Sequence, residues 1–409
     1  MIIEFSVENH KSIAEMQTLS LVAAPLKSLN PTLQKSNVIK VDDHLSLLKT
    51  VALYGANGSG KSNMVNAMVT MLHIIFQSMS DETVIESRIR PFALIDPLRK
   101  KPTFFQLQFI CEGQKYRYGF EATRSSIVSE WLAGPAKENE TYYFQRAGQE
   151  IQINKTRFSE GKDLESKTAE TNLFLNVVAA FNGPIAKAIK KYLRGIYALG
   201  SVNDKYFRQY TLDSLNDPVL GKEVLYFLRS GDTGIEQVRE EILSDEERNS
   251  KARIFSIRTI IDGQGEKVGE IEFDFDEFES AGTKKMFNLA GALLRKLREG
   301  GLFIIDEFDA RFHPMLTRRI VEMFNSTKLN PGNAQLFFVT HDTNLLDRDL
   351  LRRDQIYFAE KDIVGRTSFY SMYDFKGVRN DASFEKNYLK GKFGAIPDLQ
   401  DLDDFLDVE

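Results

Sequence analysis

The sequence predicts a mixed α/β fold with a separate antiparallel β region, on three observations. Short apolar runs bounded by turn residues, at Leu47–Tyr54, Gly301–Ile305 and Leu336–Val339, read as strands of a sheet covered on both faces. The first run enters a glycine-rich loop and then a segment, Ser62–Ser78, with apolar residues at helical spacing (Met64, Val65, Met68, Met71, Leu72, Ile75). Strand, glycine-rich loop and helix in that order form the start of a nucleotide-binding α/β unit. From Thr103 to Ile153 the period changes to two, in Phe105/Leu107/Phe109, Tyr116/Tyr118/Phe120 and Tyr142/Phe144, which predicts antiparallel strands.

The other elements follow along the chain. Ile2–Val7 alternates as a strand. Residues 155–250 read as a charged helical insertion. Within it, Ile185, Ile189, Tyr192, Leu193 and Ile196 lie on one helical face, and Lys187, Lys190, Lys191 and Arg194 lie on another. That basic face is a candidate contact for nucleic acid or an acidic partner, against the simpler reading of a solvated helix face. Arg253–Ile261 and Val268–Phe275 are expected strands, Ala281–Glu299 a helix, and Ile356–Glu360 and Ser368–Tyr373 two further strands. Phe273, Phe275 and Phe278 are expected in the core, and Cys111 is expected to be an ordinary strand residue. The expected division is 1–154, 155–250, 251–375 and a C-terminal tail, 376–409, whose last stretch, Asp398–Glu409, is acid-rich without Lys or Arg.

Bulk composition narrows the class. The chain has 409 residues, 42% hydrophobic and 27% charged, which suits a globular protein with a substantial core. A net charge of −5 argues against a surface that binds nucleic acid indiscriminately. The single cysteine forbids an intrachain disulfide and fits a reducing compartment. The start of the chain lacks the features of a signal peptide. Its longest apolar stretches fall short of the roughly 20 residues that span a bilayer. The expectation is a cytoplasmic protein with no membrane partner.

Four motifs carry chemistry. Gly55-Ala-Asn57-Gly58-Ser59-Gly60-Lys61-Ser62 fits G-x-x-x-x-G-K-[ST] in full. Its glycines would let backbone amides wrap phosphates at the positive end of the next helix. Lys61 would reach the β- and γ-phosphates, and the Ser62 hydroxyl would hold Mg²⁺. The strand Gly301–Ile305 runs into Asp306 and Glu307, two acids whose placement at a buried strand end is costly without a cation or a task. Asp306 is assigned beside Mg²⁺, and Glu307 is assigned to polarise the attacking water. Leu336–Thr340 leads into His341, placed to sense the γ-phosphate. Glu279-Ser280-Ala-Gly282-Thr283 opens the helix before Asp306, with Ser280 its expected cap.

The order of these four elements resembles the ABC/SMC/RecF superfamily of P-loop ATPases, although Ser-Ala-Gly departs from the transporter signature Leu-Ser-Gly-Gly-Gln. Lys61 and Asp306 are 306 − 61 = 245 positions apart, room for a β region and a helical insertion, and heptad runs for a long coiled coil are missing. The opening Glu4-Phe-Ser-Val-Glu-Asn9-His-Lys11-Ser12 resembles that of OLD-like and RecF-like ATPases, with His10 where an aromatic is usual. The closing Tyr388-Leu-Lys-Gly391-Lys-Phe-Gly394-Ala-Ile-Pro397 resembles bacterial anti-phage and abortive-infection ATPases such as RloA and the ATPase of the PARIS system. The resemblance implies an ABC-type ATPase head with a mixed β-sheet core, an antiparallel β subdomain and a helical insertion. It implies ATP with Mg²⁺, a nucleotide contact from Lys11, and a head-to-tail homodimer or higher homo-oligomer in which Ser280 and Gly282 reach the γ-phosphate on the other copy's Lys61. It leaves Gln106 and Gln108 both open as the glutamine of the site. It also implies a separate Toprim-type effector nuclease and a phage-protein or nucleic-acid trigger. The alternative is a RecF-like repair ATPase that binds DNA.

Overall fold

The computed structural model describes residues 1–26, 30–135, 140–200, 204–242, 252–377 and 382–398. Its centre is a six-stranded sheet. The order is Tyr197–Leu199, Leu302–Ile305, Gln335–Val339, Thr50–Gly55, Ile356–Lys361 and Thr367–Ser371. All pairs are parallel except the last, which is antiparallel. Register pairs Ile305 with Phe338 and Val339 with Leu53, so the three central strands end at one level.

Side-chain alternation explains why these strands read as continuous apolar runs. Val51, Leu53, Leu302, Ile304, Phe337 and Val339 pack into one core, shared with Met64, Met68, Met71 and Ile75 of the helix Lys61–Gln77. Ala52, Tyr54, Phe303, Ile305, Leu336 and Phe338 enter a second core on the other face, with the helices Ala281–Glu299 and Pro314–Asn325. A parallel sheet has no polar face to give to solvent, so both sets must be apolar.

The helix Lys61–Gln77 also packs against a seven-stranded antiparallel sheet. This sheet holds the five strands between Thr103 and Ile153 and, beyond Thr103–Cys111, the N-terminal strands Ile2–Glu8 and Gln17–Ser20. Phe105 and Phe109 point into the core, while Gln106 and Gln108 take the opposite face. Gln106 Oε1 accepts from Arg117 and Trp131, and Gln108 donates to Glu4. His10, in place of an aromatic, is fully buried, sets its ring edge-on to Phe105, and pairs Nε2 with Asn66 Oδ1.

Several expected elements change in detail. The run Leu47–Tyr54 is two strands, Ser46–Leu48 and Thr50–Gly55. They part at Lys49, whose buried ammonium turns to the carbonyls of Asn325 and Ser326. The segment expected as helical holds the helices Phe174–Ala180, Pro184–Arg194, Arg208–Leu215 and Leu220–Ser230. It also supplies Tyr197–Leu199 to the central sheet and Gln237–Ile242 to a three-stranded sheet with Ala252–Ile261 and Lys267–Asp274. On Pro184–Arg194, Lys187 donates to Asn182 and Arg194 lies over the Phe76 ring, so the basic face is partly engaged with the protein itself. Phe275 is buried, but Phe278 is 65% exposed, because the short helix Phe275–Phe278 turns it outward. Beyond Asp398, the acid-rich tail lies outside the described residues.

One buried carboxylate ties the antiparallel sheet to the helices that follow. Glu130 accepts from Tyr118 Oη (2.9 Å) and from the first amides of the helix Phe174–Ala180, Phe174 N (2.6 Å) and Leu175 N (3.1 Å). Arg146, equally buried, lies 3.8 Å away. Removing one member of such a pair strands the other charge in a dry interior. We therefore expect Glu130→Ala to lose about 3–5 kcal/mol in urea unfolding. Glu130→Gln, which keeps an acceptor for the helix amides, should lose less. Wild-type stability in Glu130→Ala would show that this tie does not hold the two parts together.

Candidate nucleotide site

The site forms where the three central strands end. Gly55 closes Thr50–Gly55, and the loop through Gly60 delivers Lys61 as the first residue of its helix. Gly60 has no substitute here. Its φ is +100°, and a Cβ would come within 2.2 Å of Thr367 Oγ1 and 2.8 Å of Ser12 Oγ. Those two side chains brace the loop from outside. Thr367 Oγ1 donates to Ser59 O (2.9 Å) and lies 2.7 Å from Ser12 Oγ, which also accepts from Asn63 Nδ2 (2.6 Å). Lys11, the residue before Ser12, sits at φ +51° with its amide bonded to Arg90 O (2.6 Å). Burial, and then the charge of Arg90, lower the pKa of its ammonium.

Lys61 is 6% exposed, and its Nζ donates to the loop carbonyls of Gly55 (2.8 Å) and Ala56 (2.9 Å). Burial pulls its pKa down to about 8, against the attraction of Asp306 and Asp309. Asp306, 7% exposed, is pushed the other way by the same loss of water, while the Ser62 hydroxyl, the Glu307 amide and Lys61 favour its charged form. Ser59 Oγ is buried without a hydrogen-bond partner inside the loop. Asn57, Gly58 and Ser62 are exposed at the mouth.

This donor set fits a phosphate group with Mg²⁺. The loop offers backbone amides and an unpartnered hydroxyl. Lys61 is held only by neutral carbonyls, and Ser62 and Asp306 bring one hydroxyl and one carboxylate together. Mg²⁺ commonly takes only one or two protein oxygens beside substrate phosphate and water. Among the described residues no cluster of three or more His, Cys, Asp or Glu side chains is gathered as a metal site.

The strand Gln335–Val339 lies between Thr50–Gly55 and Leu302–Ile305, so it carries His341 out between the P-loop and the two acids. Glu307 is exposed at φ +50°, the left-handed region, which turns it off the line of its strand. His341 reaches the surface, yet partial loss of water and the nearby Lys61 lower its pKa. Asp309 fixes this end of the strand, accepting from Thr340 Oγ1 (2.6 Å) and His341 N (3.1 Å). Ser280 caps its helix as expected, accepting from Thr283 N (3.1 Å). Beside it, Glu279 is buried and bonded to Ser256 and Arg258. Gly282 is required by close approach, since a Cβ there would stand 2.7 Å from Arg311 O. Among the described residues no hydrogen bond joins Ser280 or Gly282 to the P-loop.

Lys61, Ser62, Asp306, Glu307 and His341 are thus brought to one sheet end, Lys11 lies beside it through Ser12, and Ser280 and Gly282 open a helix that packs against the turn after Glu307. Thr367, Asp309 and Lys285, which shape the same region, were not singled out from the sequence. Asp309 has a signal there, being a third acid just past Glu307, and Lys285 falls in the same stretch as Ser280 and Gly282.

Two solved structures show similarity of overall shape. One is an SMC head bound to the C-winged helix domain of ScpA, 14% identical, covering 90% of this chain and 97% of that one, with a TM-score of 0.44. The other is the SMC head domain from Thermotoga maritima, 14% identical, covering 90% and 98%, with a TM-score of 0.41. No curated protein sequence matches the chain significantly. A family model described as "AAA domain, putative AbiEii toxin, Type IV TA system" matches residues 51–347. That span takes in the P-loop, both acids and His341 and covers most of the chain, which therefore belongs to this family of AAA-domain ATPases.

Proposed function

We propose that the chain binds ATP with Mg²⁺, hydrolyses it in a site completed by a second copy, and uses the nucleotide state to control a separate effector in bacterial abortive infection. The observation that carries the catalytic part is the meeting of Lys61, Ser62, Asp306 and Glu307 at one end of the sheet. The match to a family model described as a putative AbiEii toxin of a type IV toxin–antitoxin system supports the cellular role.

In this reading Lys61 leaves the carbonyls of Gly55 and Ala56 for the phosphates, whose charge restores its full ammonium character. Ser62 and Asp306 hold Mg²⁺, which when bound spreads the phosphate charge. Glu307, turned out of its strand, orients water toward the γ-phosphate, and His341 contacts that phosphate from the neighbouring strand. Ser280 is exposed at the start of its helix, and neither it nor Gly282 is hydrogen-bonded to its own P-loop, which suits contact with nucleotide held by another copy. The effector in trans is a Toprim-type nuclease, and a phage protein or nucleic acid is the trigger. No helix among the described residues is long and apolar enough to cross a membrane, and we place the protein in the cytoplasm.

Removing the water-orienting group should separate hydrolysis from binding. Glu307→Gln should hold ATP while turnover falls about 10²–10⁴-fold. Lys61→Ala should bind ATP poorly. Ser280→Arg should bind but not turn over, and mixing it with Lys61→Ala should restore activity, because a mixed dimer can assemble one intact composite site. Undiminished turnover in Glu307→Gln would refute its role. Normal turnover by dilute Ser280→Arg would refute the shared site.

The lowered pKa of Lys61 gives binding a pH dependence of known sign. Below about 8 the free ammonium is already charged, so binding takes up no proton there. Above it the free amine is neutral and must be protonated on binding phosphate. ATP affinity should therefore weaken as pH rises, approaching about tenfold per unit well above the free pKa. Calorimetry near pH 9, in buffers of different ionisation enthalpy, should show uptake approaching one proton in wild type and none in Lys61→Arg, whose guanidinium stays charged. Equal uptake in both proteins would assign the titration elsewhere.

A further inference from the structure

Lys285 lies just over one turn into the helix that Ser280 caps, and only 3% of it is exposed. Its ammonium donates to three carbonyls of one turn, Glu307 O (3.2 Å), Phe308 O (3.1 Å) and Ala310 O (2.7 Å). It also sits 4.5 Å from the centre of the Phe312 ring. An ammonium has three protons to donate, so this turn uses all of them. The buried carboxylate of Asp204 and the side chains of Asp309 and Glu307 attract it, while Arg311 repels it.

The turn needs such a hold. It contains two non-glycine residues in the left-handed region, Glu307 at φ +50° and Arg311 at φ +67°, and backbone of that kind persists only where its surroundings over-determine it. The same helix supplies a second constraint. Gly282 lets Arg311 O come close enough that even a methyl group would clash. The first turns of this helix therefore contact the turn at both ends, through Lys285 at Glu307 and through Gly282 at Arg311.

We propose that Lys285 is a positioning residue, which holds Glu307 in its out-turned conformation and couples the Ser280–Gly282 end of its helix to the aim of that carboxylate. A partner engaging Ser280 and Gly282 would then bear on Glu307 through one rigid helix, so assembly and water activation would be linked within a single copy. The coupling rests on the reading of Glu307 given above, whereas the hold on the turn does not.

The test uses the full chain as wild type, Lys285→Met and Lys285→Arg, with hydrogen exchange at 306–312 measured without nucleotide. In Lys285→Met, exchange of that turn should rise about tenfold or more. ATP affinity should stay within about threefold of wild type while kcat falls about 100-fold, since the P-loop is untouched and only the transition state loses Glu307. Lys285→Arg keeps the cation but cannot place one compact ammonium among three carbonyls, so its kcat should be intermediate. Added to Glu307→Gln, Lys285→Met should cost less than about threefold, because both changes act on one group. Wild-type kcat in Lys285→Met, or a full additional loss in the Glu307→Gln background, would overturn the proposal. If Lys285→Met fails to fold, Lys285→Arg decides, and wild-type exchange and kcat there would overturn it. If the wild-type protein turns over no ATP, the catalytic reading fails separately, and the exchange result still decides whether Lys285 holds the turn.

Discussion

Two opposite charges that have lost most of their water, Lys61 and Asp306, stand at the same end of one parallel sheet, and much of the molecule follows from keeping them there. Neither position is tolerable for an isolated ion in a protein interior. Lys61 is met by loop carbonyls and Asp306 by the Ser62 hydroxyl and the Glu307 amide, partners that a phosphate and a divalent cation would supplement or replace. The strand Gln335–Val339 separates the two parent strands, so the charges sit near each other without closing into a direct ion pair, and a third group, His341, arrives between them.

Apolar covering on both faces of the sheet makes that geometry rigid. The helix Lys61–Gln77 is held between two sheets, so the P-loop is fixed at its helix end by the core and at its mouth by Ser12 and Thr367. These two bracing residues lie near opposite ends of the described chain, and both close on one glycine, Gly60. Lys285 extends the same logic to the acids, pulling the carbonyls after Asp306 toward the helix of Ser280.

The parts of this arrangement legible in the sequence were those with local signatures. Buried strands announce themselves as apolar runs, and a phosphate loop by glycines at fixed spacing, so Thr50–Gly55, Lys61, Asp306 and the helix Ala281–Glu299 were all readable. Features set by distant backbone were not. Nothing local marks Lys49 as the residue that splits a strand, since its reason is the carbonyls of Asn325 and Ser326. Tyr197–Leu199 is too short to stand out and becomes a strand only because Leu302–Ile305 offers it an edge. Phe278 looked like core by its spacing from Phe273 and Phe275, but a short helix intervenes and turns it to solvent. Lys285 resembles any helical lysine until the turn it holds is folded against it.

The claim on which the rest depends is that Ser62 and Asp306 act together on a cation that arrives with the nucleotide. It is tested most directly by measuring ATP affinity with and without Mg²⁺ in wild type, Ser62→Ala and Asp306→Asn. Mg²⁺ should tighten binding by about tenfold or more in wild type, and both substitutions should abolish most of this gain, since each removes one of the few protein oxygens a Mg²⁺ site uses. Full Mg²⁺ dependence retained in Asp306→Asn would contradict that claim.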